Sequence, residues 1–449
     1  ITLGSTATAE QLQLINNATT AYINAASLTT VTGVISDMVD TTGSSTSHFI
    51  HSSVLNNFLN GAMGSAAKVE SDFTFTPSAS TQSASDINLL NTEVTNVSLS
   101  NVQTISSSSL SDINTLGAAI TAGTIAATTA IATINVSGDT IDFTALDTEI
   151  NRFDGFRSDP AIATFNLADT TTVTLGNQSE VTAFISDVTS NLLVVSGDSQ
   201  AVTVTNSGAG GVDITVAEAN DITANTGGTV TATVSDGDLD TLSGLAARAN
   251  AALTVTVTDT AGTAAELNTV NAGTTVAVDA SAVTTIESST AADISTLMTA
   301  AQNVAQFSAD SFDNLGANGV TITGGTSIDV TDLNNAISGV NTVASGTVDL
   351  VFSADNNTTT INGGTATEFA TTLLDNKTNN KVSFSGINLT VDSGGVTTAQ
   401  ANNLTNATTG TVTATVSDGD LDTLAGTGGG DGLAARANAA LTVTVTDTA

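Results

Sequence analysis

The chain has no cysteine and no tryptophan, and only one tyrosine, two prolines and two histidines in 449 residues. Each shortage excludes something. Without cysteine there is no disulfide scaffold and no thiolate chemistry. With Pro77 and Pro160 as the only prolines, and no long Pro/Gly/Ser tract, no linker cuts the sequence into separate beads. Lysine and arginine number 7 against 43 acids, a net charge of −36, so the basic footprint that nucleic-acid binding requires is missing. Charged residues make up only 11% of the chain and hydrophobic ones 40%, a balance that argues against charge-driven disorder and against a halophile's acidic coat.

What fills the chain is small: Ala, Thr, Gly, Ser, Asn and Val. Such residues bury a core only where backbones approach closely. The longest uncharged stretch, Ile113–Gly138, alternates Ile with Ala and Thr, which predicts buried strand rather than a membrane helix. The sequence opens on Ile1 with no signal-peptide pattern behind it.

Internal repetition dominates. TVTATVSDGDLDTL occurs at 229–242 and again, unchanged, at 411–424. LAARANAALTVTVTDTA occurs at 245–261 and again at 433–449. Residues 217–228 resemble 399–410, and Val173–Asp187 aligns with Ile361–Asp375, keeping a Gly, a Glu, the apolar positions and the last Asp. A second likeness joins TAEQLQLINNATTAYINAASLTTV at 8–31 to TAAELNTVNAGTTVAVDASAVTTI at 263–286. Two unequal super-repeats result, 1–261 and 262–449, with an atypical junction at 139–165. Because both end at the same phase, the sequence is expected to be a window of a longer repetitive chain.

One repeat reads as helix, strand, strand. Segments such as Asp86-Ile87-Asn88-Leu89-Leu90, Asp112-Ile113-Asn114, Asp293-Ile294 and Asp332-Leu333-Asn334 place a capping residue before an apolar i, i+3/i+4 pattern. Asn271-Ala272-Gly273 signals a helix end, and runs such as Thr275–Asp279 and Ala282–Ile286 alternate as strands do. The expected fold is therefore mainly β with short helices: a repetitive solenoid, a β-helix-like stack of helix-strand-strand units with threonine ladders on its outer face. Tandem β-sandwich modules are the alternative, disfavoured by the lack of Trp and the single Tyr22.

Few residues could carry chemistry. Asp236, Asp238 and Asp240, repeated as Asp418, Asp420 and Asp422, set three carboxylates at every second position, which suits Ca²⁺. The spacing is not that of an EF-hand, and the competing reading is an Asp-Gly turn followed by a helix cap. His48 and His51 stand at i, i+3 without a third ligand nearby, and read as an exposed pair. The glycine-rich pieces at 208–213 and 428–432 read as loops. Ser199 and the many other serines lack a nucleophile-elbow setting. In 139–165, Phe143, Phe153, Phe156 and Phe165 gather with Arg152, Arg157 and Pro160, which suggests a junction with its own small core, or alternatively a docking face. Asn17, Asn388 and Asn406 lie in glycosylation-type sequons of the kind an Asn/Thr-rich chain makes by chance.

The TAAELNTVNAGTTVAVDASAVTTI-type wording, the DGDLDTL segments, the absence of Cys and the low Lys content resemble the large repetitive exoproteins of marine and cyanobacterial bacteria, of the hemolysin-type, S-layer or adhesin-like kind. The resemblance implies export, residence at the cell surface and stabilisation by Ca²⁺. The chain departs from calcium β-rolls in lacking their tandem nonapeptides. Scarce catalytic side chains and near-identical repeats agree with a non-enzymatic, structural extracellular protein that self-associates into a filament, S-layer or matrix. An adhesin for glycans or another cell, with the Phe/Arg segment as its face, is one alternative. A β-helix polysaccharide-processing enzyme is the other. No partner nucleic acid and no membrane insertion are expected.

Overall fold

The computed structural model describes residues 2–18, 23–39, 72–126, 131–156, 163–167, 171–195, 200–205, 212–316, 319–323, 326–344, 350–352, 360–427 and 429–446. Its helices begin by one local rule. An extended Ser, Thr, Asp or Asn accepts a backbone N–H from the following turn: Ser83 from Asp86, Ser109 from Asp112, Asn177 from Glu180, Thr290 from Asp293. Thr263 with Glu266, and Thr397 with Gln400, complete reciprocal capping boxes. The helices thus start one residue after the hydroxyl cap, at Ala84 and Leu110, and not at Asp86 and Asp112. The acids fall at the third helical position, where the helix dipole favours a negative charge.

Strands follow the period-2 pattern and pair only in parallel. Thr6–Thr8, Thr30–Gly33, Thr74–Pro77, Val97–Ser98 and Ile125–Ala126 form one sheet in that order, and Thr81–Gln82, Thr104–Ser109, Thr133–Ser137, Thr164–Leu167 and Leu193–Val194 another. In the first, Val31, Phe75, Val97 and Ile125 lie side by side and are buried. In the second, Ile105, Ile134, Phe165 and Leu193 do the same. The alternate positions carry threonine in register, as Thr6, Thr30 and Thr74 do. Their neighbours' hydroxyls donate to backbone carbonyls across the ladder, Thr29 to Ser5 and Thr174 to Ile141, both at 3.2 Å.

The expectation of a mainly β solenoid is overturned, and its alternative, β-sandwich modules, falls with it. The fold is α/β. Among the described residues there are 14 α-helices and five sheets, all parallel, with 38% of the structure helical and 27% strand. Parallel neighbours need a crossover between them, and the crossovers here are mostly helical. The segment 113–138, expected as buried strand, begins as helix. Its Ile, Ala and Thr residues fit a spacing of 2, but Ile113, Leu116, Gly117 and Ile120 also fit 3.6, and with Ser109 as cap they form the buried face of the helix Leu110–Thr121. Strand resumes at Ile125–Ala126 and Thr133–Ser137. No helix among the described residues is long and apolar enough to cross a membrane.

The chain divides into two compact units, one of Ile1–Asp213 with Asp221–Ala232 and one of Ile214–Asn220 with Thr233–Ala449. The first holds the two sheets above and the parallel strands Thr140–Asp142, Thr172–Leu175 and Ala201–Val204. The second holds Ala261–Thr263, Thr285–Ser289, Val320–Ile322, Leu350–Phe352 and Val382–Ser383 in one sheet. Its other sheet runs Ser327–Asp329, Thr360–Thr365, Asn388–Ser393, Val412–Val416 and Ala439–Val443.

Candidate functional site

The two DGDLD segments are folded alike. Asp238 caps the short helix Leu239–Leu242, accepting from the Thr241 N–H at 3.0 Å and its hydroxyl at 3.1 Å. Asp420 caps Leu421–Ala425 through the Thr423 N–H at 2.7 Å. Those hydrogen bonds, first the backbone N–H and then the hydroxyl of Thr423, hold the Asp420 carboxyl below the usual carboxylate range. Asp236 and Asp418 do something else. Each reaches back about one repeat and accepts the first N–H of an earlier helix, Asp236 from Val216 at 2.8 Å and Asp418 from Thr398 at 2.6 Å. Asp240 and Asp422 lie in the first helical turn, where Asp422 accepts the Thr427 hydroxyl at 2.7 Å.

Five of these six carboxylates, those of Asp236, Asp238, Asp418, Asp420 and Asp422, are thus engaged separately as caps and turn acceptors. Among the described residues no group of three or more His, Cys, Asp or Glu side chains is placed to hold a metal ion. The arrangement supplies acceptors for the backbone N–H donors at helix starts.

The reach-back cap recurs beyond the aspartates. Ser108 accepts from Ala84 at 2.9 Å, Asp259 from Leu239 at 2.6 Å and Ser289 from Ala264 at 2.7 Å, each donor the first residue of a helix. A second device runs between helices. The fifth residue of a helix donates its side-chain amide to a backbone carbonyl of the following repeat: Gln13 to Asp37, Asn88 to Asp112, Asn220 to Gly244, Asn268 to Asp293 and Asn402 to Gly432, at 2.8 to 3.0 Å. Asn220 and Asn402 also accept an N–H there, from Ala246 and Ala434. A third device explains the aligned glutamates. Glu180 accepts the Thr144 hydroxyl from the preceding helix at 2.6 Å, and Glu368 accepts that of Thr331 at 2.8 Å. The bonds from Thr365, and then from Thr331, hold the Glu368 carboxyl low.

The asparagines belong to the same helix-start pattern as the caps. The signal was there: the apolar residue after the N3 acid is followed repeatedly by Asn, at 88, 114, 268 and 334.

The described residues of 139–165 contribute phenylalanines to the core. Phe143, Phe153 and Phe165 are buried, in edge-to-face contact as Phe143–Phe184 and Phe153–Phe165 at ring separations of 5.6 and 5.9 Å. Glu149, also fully buried, is held by Asn114 Nδ2 at 2.6 Å and Arg152 at 2.8 Å, and Arg152 donates a further bond to the Asn114 carbonyl. On the helix Gln178–Thr189, burial and secondarily the charge of Asp147 push the Asp187 carboxyl up to about 6, and its Oδ2 has no hydrogen-bond partner. Tyr22, His48, His51, Arg157, Pro160, Ser199 and residues 208–211 and 428 lie outside the described residues. Asn388 lies within a strand and accepts the Thr411 N–H, while Asn17 and Asn406 are helical.

No protein-family model matches this chain, and no curated protein matches it in sequence.

Proposed function

We propose that this is a structural extracellular protein, a subunit or segment of a surface filament, S-layer or matrix built by self-association. What supports the reading is the employment of its polar side chains. The residues that looked most capable of chemistry, Asp236, Asp238, Asp418, Asp420, Glu180 and Glu368, each bind a backbone amide or hydroxyl of the fold itself. Repeats that cap and clasp one another in one direction are the means by which a chain extends itself. The adhesin reading draws less support, because three of the four phenylalanines of its candidate segment, Phe143, Phe153 and Phe165, are buried.

Electron microscopy of the producing cells and their supernatant, with an antibody against this chain, tests the proposal. Labelled periodic fibres or sheets are the expected result. Label confined to the tips of isolated rods would favour an adhesin, and diffuse label on soluble monomers that cleave glycans would favour an enzyme.

A further inference from the structure

Each compact unit contains one pair of successive helices built to the same plan. In the first unit they are Phe143–Gly155 and Gln178–Thr189. In the second they are Val330–Val343 and the π-helical turn Glu368–Leu373, continued by Leu374–Thr378. The threonine at the second place of the earlier helix fixes the register, Thr144 donating to Glu180 and Thr331 to Glu368. Three residues further on, Asp147 therefore takes the place of Asn334. On the later helix the π turn accommodates one extra residue. Asp187, seven places after Glu180, thus answers to Asn376, eight places after Glu368. Asp375, its counterpart in the sequence alignment, is exposed instead.

In the second unit the two places are joined: Asn376 donates its amide to the Asn334 Oδ1 at 3.3 Å. In the first unit both are acids. Asp187 is 6% exposed and its Oδ2 has no hydrogen-bond partner. Asp147 is half-buried and accepts the Asn151 amide of its own helix at 2.9 Å. Elsewhere this fifth helical place holds an amide, as in Asn88, Asn268 and Asn402, or a hydroxyl, Thr182 and Ser295. Among the described helices of nine residues or more, Asp147 is its one acid.

Little else charged faces Asp187 among the described residues. The strands packed on its helix, Thr172–Leu175 and Leu193–Val194, have no titratable side chain. On Phe143–Gly155, Glu149 is turned to Asn114 and Arg152, and Asp154 is exposed. On its own helix Glu180 is engaged at the start by Thr144 and the Gly176 N–H. Asp147 is the charge that acts on Asp187. Two carboxylates side by side have no donor between them, and one proton supplies it. Burial places that proton on Asp187, the less hydrated of the two.

We infer that Asp147 and Asp187 share one proton, the acid form of Asp187 donating to the Asp147 carboxylate, so that this joint is closed in acid and loosened when the proton passes to solvent. The first unit thereby carries an acid-operated version of a joint that the second unit makes with two amides. The inference stands apart from the function proposed above.

NMR of the protein with ¹³C-labelled aspartate carboxyls, the signal assigned by its loss in Asp187→Asn, follows the proton directly. The Asp187 carboxyl is expected to titrate well above the ordinary carboxylate range. In Asp147→Asn, a substitution at a half-buried site, its midpoint is expected to fall by about one pH unit or more. A midpoint that does not move overturns the shared proton and leaves burial as the whole cause. A wild-type midpoint drawn down by millimolar Ca²⁺ overturns it in favour of a cation between the acids. Hydrogen exchange, corrected for its intrinsic pH dependence, reads the joint itself. Between about pH 5 and 7.5 the amides of Gln178–Thr189 are expected to lose protection by tenfold or more, while those of Leu374–Thr378 hold theirs. Asp147→Asn/Asp187→Asn, which copies the Asn334–Asn376 pair, is expected to abolish the loss. Equal loss in both helices, or loss that persists in the double variant, overturns the switch.

Discussion

Asp418 accepts the backbone N–H of Thr398 at 2.6 Å, so the first free donor of one helix is satisfied by a carboxylate twenty residues further along the chain. Asp236 stands in the same relation to Val216. Asp418→Ala removes a charge-assisted bond and leaves the Thr398 donor without its acceptor, at an expected cost of about 1–3 kcal/mol. Asp418→Asn is expected to recover roughly half of that. Urea denaturation of the two variants checks the order.

The amide clasp between helices is tested at Asn402, which donates to the Gly432 carbonyl and accepts from the Ala434 N–H. Asn402→Ala breaks both bonds and is expected to cost about 1–3 kcal/mol. Hydrogen exchange should quicken at the Ala434 amide rather than uniformly, and a uniform change would assign the loss to global stability instead.

Gly410 meets the backbone of the neighbouring strand so closely that a Cβ would fall on the Ile387 carbonyl, and Gly228 meets Gln200 in the same way. Neither obstacle is a movable side-chain end. Gly410→Ala is expected to cost about 1–3 kcal/mol or more through overpacking. Gly155→Ala, with open space around it at a helix end, is the control and is expected to be neutral or slightly stabilising. Melting temperatures of the pair decide the matter.

Asp187 gives the protein a pH dependence of unusual sign. Its carboxyl is raised to about 6 in the fold, chiefly by burial and then by Asp147. The folded state therefore binds the proton more tightly than the unfolded chain does. Stability from this group is full below the unfolded pKa near 4 and falls as pH climbs through 6, by on the order of 2 kcal/mol. Asp420 and Glu368, both held low, act oppositely and lose their contribution under more acid conditions. From these three groups a stability maximum at about pH 4 to 4.5 is expected. Asp187→Asn should flatten the decline above it, measured as melting temperature against pH.

With the Asp418 and Asp420 oxygens engaged by amides, millimolar Ca²⁺ is expected to shift the melting temperature by less than about 1 °C. A rise of several degrees that disappears in Asp418→Asn would place a cation among these carboxylates.

Helix starts were legible because a cap acts over three residues. Ser83, Ser109, Thr290 and the Thr263/Glu266 box can be read from a short window, and only the exact first residue shifted. The balance of helix and strand was not legible, because Ala, Thr and Ile in 113–120 satisfy both periods until Ser109 is counted as the cap. The DGDLD acids show the other limit. Asp238 and Asp420 were foreseeable as caps of the helices beside them. Asp236 and Asp418 answer donors twenty residues away, and such a partner appears only when the parallel register is known. Asn268 and Asn402 escaped for the same reason.

The backward reach of these caps also sets an order of completion during synthesis. The helix Val216–Asn225 emerges before the carboxylate that closes it, and so does Thr398–Ala407. At each stage the newest helix holds an unanswered amide until the next strand has formed. A growing chain of this design is always one repeat short of finished, and any break in it leaves the repeat before the break undone.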